Sequence, residues 1–122
     1  MSKGLKLTFL VHAFVAFVLG APLLLAPGRV LALLGWLNID TMTSRVLGAA
    51  LLALAWSSWR LWKADTQAHY RRVLEIEAIF TVLGAIGLLR ELVVDGFPPI
   101  YWLMFALLAI FAAAWNYFLF KK

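Results

Sequence analysis

Apolar residues fill four long runs of this chain, about 5–26, 43–62, 73–92 and 98–120, and polar residues cluster in the short breaks between them. Each run approaches or exceeds the ~20 residues that an α-helix needs to cross the hydrocarbon of a bilayer. Strand-like alternation is missing from all four, and an open sheet would leave backbone N–H and C=O groups unpaired in lipid. The pattern therefore predicts an all-α integral membrane four-helix bundle, one domain spanning residues 1–122. Pro27-Gly28 stops the first run. The stretch Val30–Trp36 then reads as a short helix in the outer interface or as the end of a long bent span. Asn38-Ile39-Asp40-Thr41 is a polar turn, with Thr41, Thr43 or Ser44 placed to cap the next helix. Asp95-Gly96-Phe97-Pro98-Pro99 is a second tight turn, with proline suited to the first turn of the helix that follows.

Small and polar residues mark the faces on which membrane helices meet, because lipid does not drive helices together and close packing must. Span one carries Thr8, His12, Ala16 and Gly20 at helical spacing, and span two carries Arg45, Ala49, Ala53 and Ser57. Span three presents Glu77, Thr81, Gly84, Leu88 and Glu91, and span four Trp102, Ala106, Ala109, Ala113 and Asn116. These stripes are expected to face inward, and packing alone is enough to explain each.

Composition strengthens the membrane reading. With 65% of 122 residues hydrophobic and 14% charged, a soluble domain of this size has too little interior to hide its apolar surface. The net charge of +5 would suggest nucleic acid on a soluble domain, but here the basic residues sit at the span ends, where anionic headgroups lie. Lys3, Lys6, Arg60, Lys63, Arg71, Arg72, Lys121 and Lys122 fall on one side, against Arg29, Arg45 and Arg90 on the other. The positive-inside rule then makes both termini and the central loop cytoplasmic. The first run is too long for a typical signal-peptide core and reads as an uncleaved span. With no cysteine in the chain, disulfides and thiolate metal sites are excluded.

Depth brings four of the polar residues together. At 1.5 Å rise per residue, His12 lies ~9 Å above Lys6, Glu77 ~8 Å above Arg72 and Asn116 ~8 Å above Lys121, with Ser57 similarly placed relative to Lys63. One polar layer in the cytoplasmic leaflet is thus expected from His12, Ser57, Glu77 and Asn116. Glu75 has Arg71 one turn earlier, whereas Glu77 points about 200° away, toward the small-residue face. A carboxylate at that depth is costly unless paired or wetted. It reads either as a proton- or ligand-binding group, with His12 as its hydrogen-bond partner, or as an interhelical clamp. At the outer end Arg45 and Glu91 could pair across spans two and three. Catalytic residues, metal ligands and cofactor sites are not predicted: metal spacings, nucleophile elbows, phosphate-cradling loops and dinucleotide fingerprints are all missing.

Leu25-Ala26-Pro27-Gly28-Arg29, the following Leu-Leu-Gly-Trp, and Arg45-Val46-Leu47-Gly48-Ala49-Ala50 resemble small prokaryotic four-span proteins of the DoxX-like kind. The similarity covers about the first half of the chain. It implies a four-helix membrane bundle, sometimes associated with respiratory or redox complexes, and transfers no catalytic residue. Small multidrug transporters match in size and span count, but they carry a glutamate midway along span one, where this chain has His12. Two functions lead, ahead of a membrane enzyme as a third. One is a non-enzymatic accessory subunit or binder of a small lipophilic ligand, with the bilayer, other membrane subunits or further copies of itself as partners and no nucleic acid. The other is an oligomeric proton-coupled transporter or channel that uses Glu77.

Overall fold

The computed structural model describes residues 2–36, 39–63, 70–95 and 99–121, without the side chains of Glu91, Val94 and Asp95. The described residues are helical, with no strand among them. They form α1 (Lys3–Leu25), α2 (Pro27–Leu33), α3 (Thr41–Lys63), α4 (Tyr70–Asp95) and α5 (Pro99–Phe120). The four long helices begin and end within three residues of the expected spans. Asn38 of the turn expected at 38–41, residues 96–98 of the turn expected at 95–99 and residues 64–69 of the central loop lie outside the described residues.

Local chemistry sets the boundaries. Ser2 caps α1, its hydroxyl accepting from the Leu5 amide at 3.1 Å. Pro22 is accommodated inside the helix, which ends where the Ala26 amide closes on the Pro22 carbonyl and Pro27 opens α2. The short helix after the first span is α2, and it begins three residues before the expected Val30. It stops at Gly35, whose φ of +78° places it in the left-handed region. There the Gly35 and Trp36 amides donate to the carbonyls of Ala32 and Leu31, the paired hydrogen bonds of a Schellman ending.

The cap of α3 differs from expectation. Asp40 supplies it, rather than Thr41, Thr43 or Ser44. One carboxylate oxygen accepts from the amides of Met42 (3.0 Å) and Thr43 (3.2 Å), and the other from the Thr43 hydroxyl (2.7 Å). A carboxylate beats a hydroxyl at this position because it accepts several bonds and complements the positive end of the helix dipole. Those bonds, the Thr43 hydroxyl first, hold the Asp40 carboxyl below its usual pKa.

The chain divides into two compact units, Met1–Asp65 and Thr66–Lys122. In the first, α1 packs against α3 with α2 bridging their ends. Arg45 reaches Leu24, Gly48 meets Gly20 and Ser58 meets His12, so the two helices run antiparallel. The buried face of α1 is Leu5, Phe9, His12, Ala16 and Gly20, which contains three of the four residues of the expected stripe. At Gly48 the backbones themselves touch. A Cβ there would stand 2.6 Å from the Leu24 amide nitrogen and 2.7 Å from the Gly20 carbonyl oxygen. Only glycine permits that approach.

In the second unit, α4 and α5 pack as a hairpin. Leu74, Glu77, Ala78, Thr81 and Leu92 are buried on α4, and Tyr101 and Trp115 on α5. Gly84 lies against Leu108, at an ordinary van der Waals distance of 3.5 Å for a Cβ placed there. By length and composition, α1 and α5 are each able to cross a membrane. The other two long helices carry more charge, with Arg45, Arg60 and Lys63 on α3 and Arg71, Arg72, Glu75, Glu77, Arg90, Glu91 and Asp95 on α4.

Candidate functional site

Polar side chains are buried in both units, and each is best built from its own helix. On α1, residue 12 follows Leu5 and Phe9 along the face that meets α3, so His12 is carried into the helix interface. Its partner there is Ser58, with Nδ1 and the hydroxyl oxygen 2.8 Å apart and both residues buried. Either the hydroxyl donates to a neutral ring nitrogen or the ring N–H donates to the hydroxyl. The bond joins residues 46 positions apart and ties α1 to α3. Both groups are buried, and the contact links the two helices.

Ser57, the residue expected in this layer, points elsewhere. It is partly exposed, and its hydroxyl donates to the Ala53 carbonyl of its own helix at 3.1 Å. The correction has a physical cause. Bringing Gly48 against the Gly20 backbone fixes the rotation of α3, and that rotation buries Gly48, Ala55, Ser58 and Leu61. Ala49 and Ala53, on the expected stripe, are exposed.

In the second unit Glu77 is fully buried, as is Trp115. Opposing Leu108 to Gly84 across a short connection sets residue 115 level with residue 77, so both lie at one height of the hairpin. One turn on, the buried Thr81 donates its hydroxyl to the Glu77 carbonyl at 2.7 Å, with a second contact to the Ala78 carbonyl at 3.2 Å. Those bonds spend the threonine hydroxyl on its own helix, the usual way to satisfy it in an apolar setting.

Asn116 is partly buried, and its side-chain amide donates to the Ala112 carbonyl at 2.8 Å. The fully buried place expected for it belongs to its neighbour Trp115. On the same helix Trp102 is exposed and Tyr101 buried. The interior face of α5 is thus turned one residue from the expected stripe, because it is large rings and not alanines that fill this hairpin.

Among the outer residues, Arg45 donates through Nη1 to the Leu24 carbonyl. That carbonyl lies at the end of α1, where the break at Ala26 leaves orphan acceptors and the helix dipole favours a cation. Arg45 is therefore engaged by the α1 terminus. The side chain of its expected partner Glu91 lies outside the described residues, as do His69 and Lys122. Glu75 forms the expected local ion pair with Arg71, at 3.6 Å and largely exposed. Among the described residues no group of three His, Cys, Asp or Glu side chains is placed to hold a metal ion.

No protein-family model, no curated protein and no solved structure matches this chain. What it does has to be derived from its own side chains.

Proposed function

We propose that this chain is a non-enzymatic integral membrane protein of four spans, an accessory subunit or binder of a small lipophilic ligand. Both termini lie in the cytoplasm, and α2 rests in the outer interface. The observation that carries the reading is the inverted distribution of polarity. His12, Ser58, Glu77 and Thr81 are buried, whereas Leu7, Phe14, Phe17, Ile79, Leu83, Ile86 and Ile110 are exposed on the outer faces. In water that arrangement would be reversed, and so many exposed apolar side chains mark a lipid or protein partner. A four-span bundle is also what the DoxX-like resemblance implies.

In this reading the buried polar side chains fix helix register and give the bundle specificity for what it binds. Full burial of Glu77 favours one alternative, in which that carboxylate carries a proton for an oligomeric transporter. Glu77→Gln separates the two, because the amide keeps the shape but not the titratable charge. The subunit reading expects assembly with co-purifying partners or lipids to persist and no proton-coupled flux in proteoliposomes to be lost. Flux that is present in the parent and abolished in Glu77→Gln, with assembly intact, would favour transport.

A further inference from the structure

The α1–α3 pair carries a groove of about 610 Å³, lined by Phe14 and Phe17 from α1 and Leu52, Trp56, Trp59 and Trp62 from α3, among other apolar side chains. Trp56 is 64% exposed, and Trp59 and Trp62 are more than a third exposed, so the rings stand open to whatever fills the groove. Two cations crown the wall made by α3. The Arg60 guanidinium carbon lies 6.0 Å from the centre of the Trp56 ring, and the Lys63 ammonium 4.6 Å from that of Trp59. Because α1 and α3 are antiparallel, with His12 opposite Ser58, Lys3 and Lys6 come to the same end.

We infer that this groove binds one anionic glycerophospholipid, its acyl chain lying along the aromatic wall and its phosphate held by Arg60 and Lys63. An apolar channel alone would accept any lipid tail. The positive charge at one end requires a ligand that joins an apolar chain to an anion at its tip. Stacking on indole faces keeps both cations close to the groove while leaving their N–H groups free to donate to phosphate. A second copy of this chain is a poorer occupant. It carries a net charge of +5 with its own basic residues at the helix ends, and would bring like charge to an already basic mouth. The proposal rests on the membrane reading only in requiring that α1 and α3 lie in a bilayer.

The test is lipid retention by the purified full chain. Detergent-solubilised protein is offered equimolar phosphatidylglycerol and phosphatidylcholine with the same acyl chains, and bound lipid is counted by native mass spectrometry. Phosphatidylglycerol should be retained at least about five-fold over phosphatidylcholine, since each cation near a membrane surface favours an anionic lipid appreciably. Arg60→Gln with Lys63→Gln should bring the ratio to about one. Lys121→Gln should leave it unchanged, although Lys121 makes the same kind of contact with the Tyr117 ring at 5.5 Å, because the groove's lining residues come from α1 and α3. In vesicles, phosphatidylglycerol brominated on its acyl chain should quench tryptophan fluorescence more than the phosphatidylcholine analogue, and the double variant should abolish the difference. Equal retention of the two lipids by the parent, or a preference that survives the double variant, would overturn the site while leaving the membrane reading intact. Release of the protein from membranes by alkaline carbonate would overturn both.

Discussion

The two helical pairs achieve close packing by opposite means. Between α1 and α3 the contact is backbone on backbone, centred on Gly20 and Gly48, with hydrogen bonds between Arg45 and the Leu24 carbonyl at one end and between His12 and Ser58 farther along. Between α4 and α5 the interior is built from large side chains, Leu74, Leu92, Tyr101 and Trp115, with Glu77 buried among the α4 positions. Glycine matters in the first pair because it lets the helices approach. In the second it does not, since Gly84 has room for a Cβ and Gly87 has nothing within 4 Å. A hairpin held by backbone contact has one register, whereas one filled by side chains tolerates repacking.

The sharpest way to break this comparison is to add a methyl group to each pair. Gly48→Ala should destabilise the protein by roughly 2 kcal/mol or more, since the atoms in the way are backbone and the helices must separate. Gly84→Ala should be neutral or stabilising by up to about 1 kcal/mol, from helix propensity with no clash. Reversible unfolding in mixed micelles measures both. Equal effects would mean that the two pairs do not differ as described.

A smaller effect tests the rotation of α3. Ser58→Ala should cost about 1 kcal/mol by removing the partner of His12 from a buried site. Ser57→Ala should stay within about 0.5 kcal/mol, because its hydroxyl bonds only to its own helix. The reverse order would restore Ser57 to the interior.

The smallest effect lies outside the apolar segments, at the start of α3. The carboxyl pKa of Asp40 is lower in the folded state than in the unfolded chain, so its capping stabilises above the unfolded value and is lost as pH falls through the folded one. Amide resonances of Met42 and Thr43 followed by NMR in micelles should shift together, with a midpoint below the ~3.9 of a free aspartate. Asp40→Asn should remove the titration. A midpoint at or above the free value would contradict the cap.

How far these features were legible in the sequence follows the same division. The ends of the long helices were readable to within three residues, because hydropathy, Pro27 and Pro99 act locally, although Asp40 and not a hydroxyl caps α3. The face of α1 was readable, since His12, Ala16 and Gly20 stand out from apolar surroundings; on α4 Glu77 and Thr81 of the expected stripe are buried, but beside Leu74, Ala78 and Leu92, which no polarity marks. On α3, Ser57 and Ser58 are adjacent and chemically identical, so polarity could not choose between them. Gly48 does choose, and its spacing of seven and then three residues to Ala55 and Ser58 was the available signal. Reading small residues as the interior failed on α5, where Trp115 takes the place expected for Asn116. Helix contacts made by large rings leave no small-residue stripe to find.

The central claim, that the chain crosses a bilayer four times with both ends in the cytoplasm, can be tested directly because the chain contains no cysteine. Single variants Ser2→Cys, Asp40→Cys, Gln67→Cys, Gly96→Cys and Lys121→Cys would be treated with a membrane-impermeant thiol reagent in vesicles of both orientations. With four spans and both ends in the cytoplasm, positions 2, 67 and 121 react only from the cytoplasmic side, and positions 40 and 96 only from the opposite side. Labelling of position 40 from the same side as position 2 would contradict it.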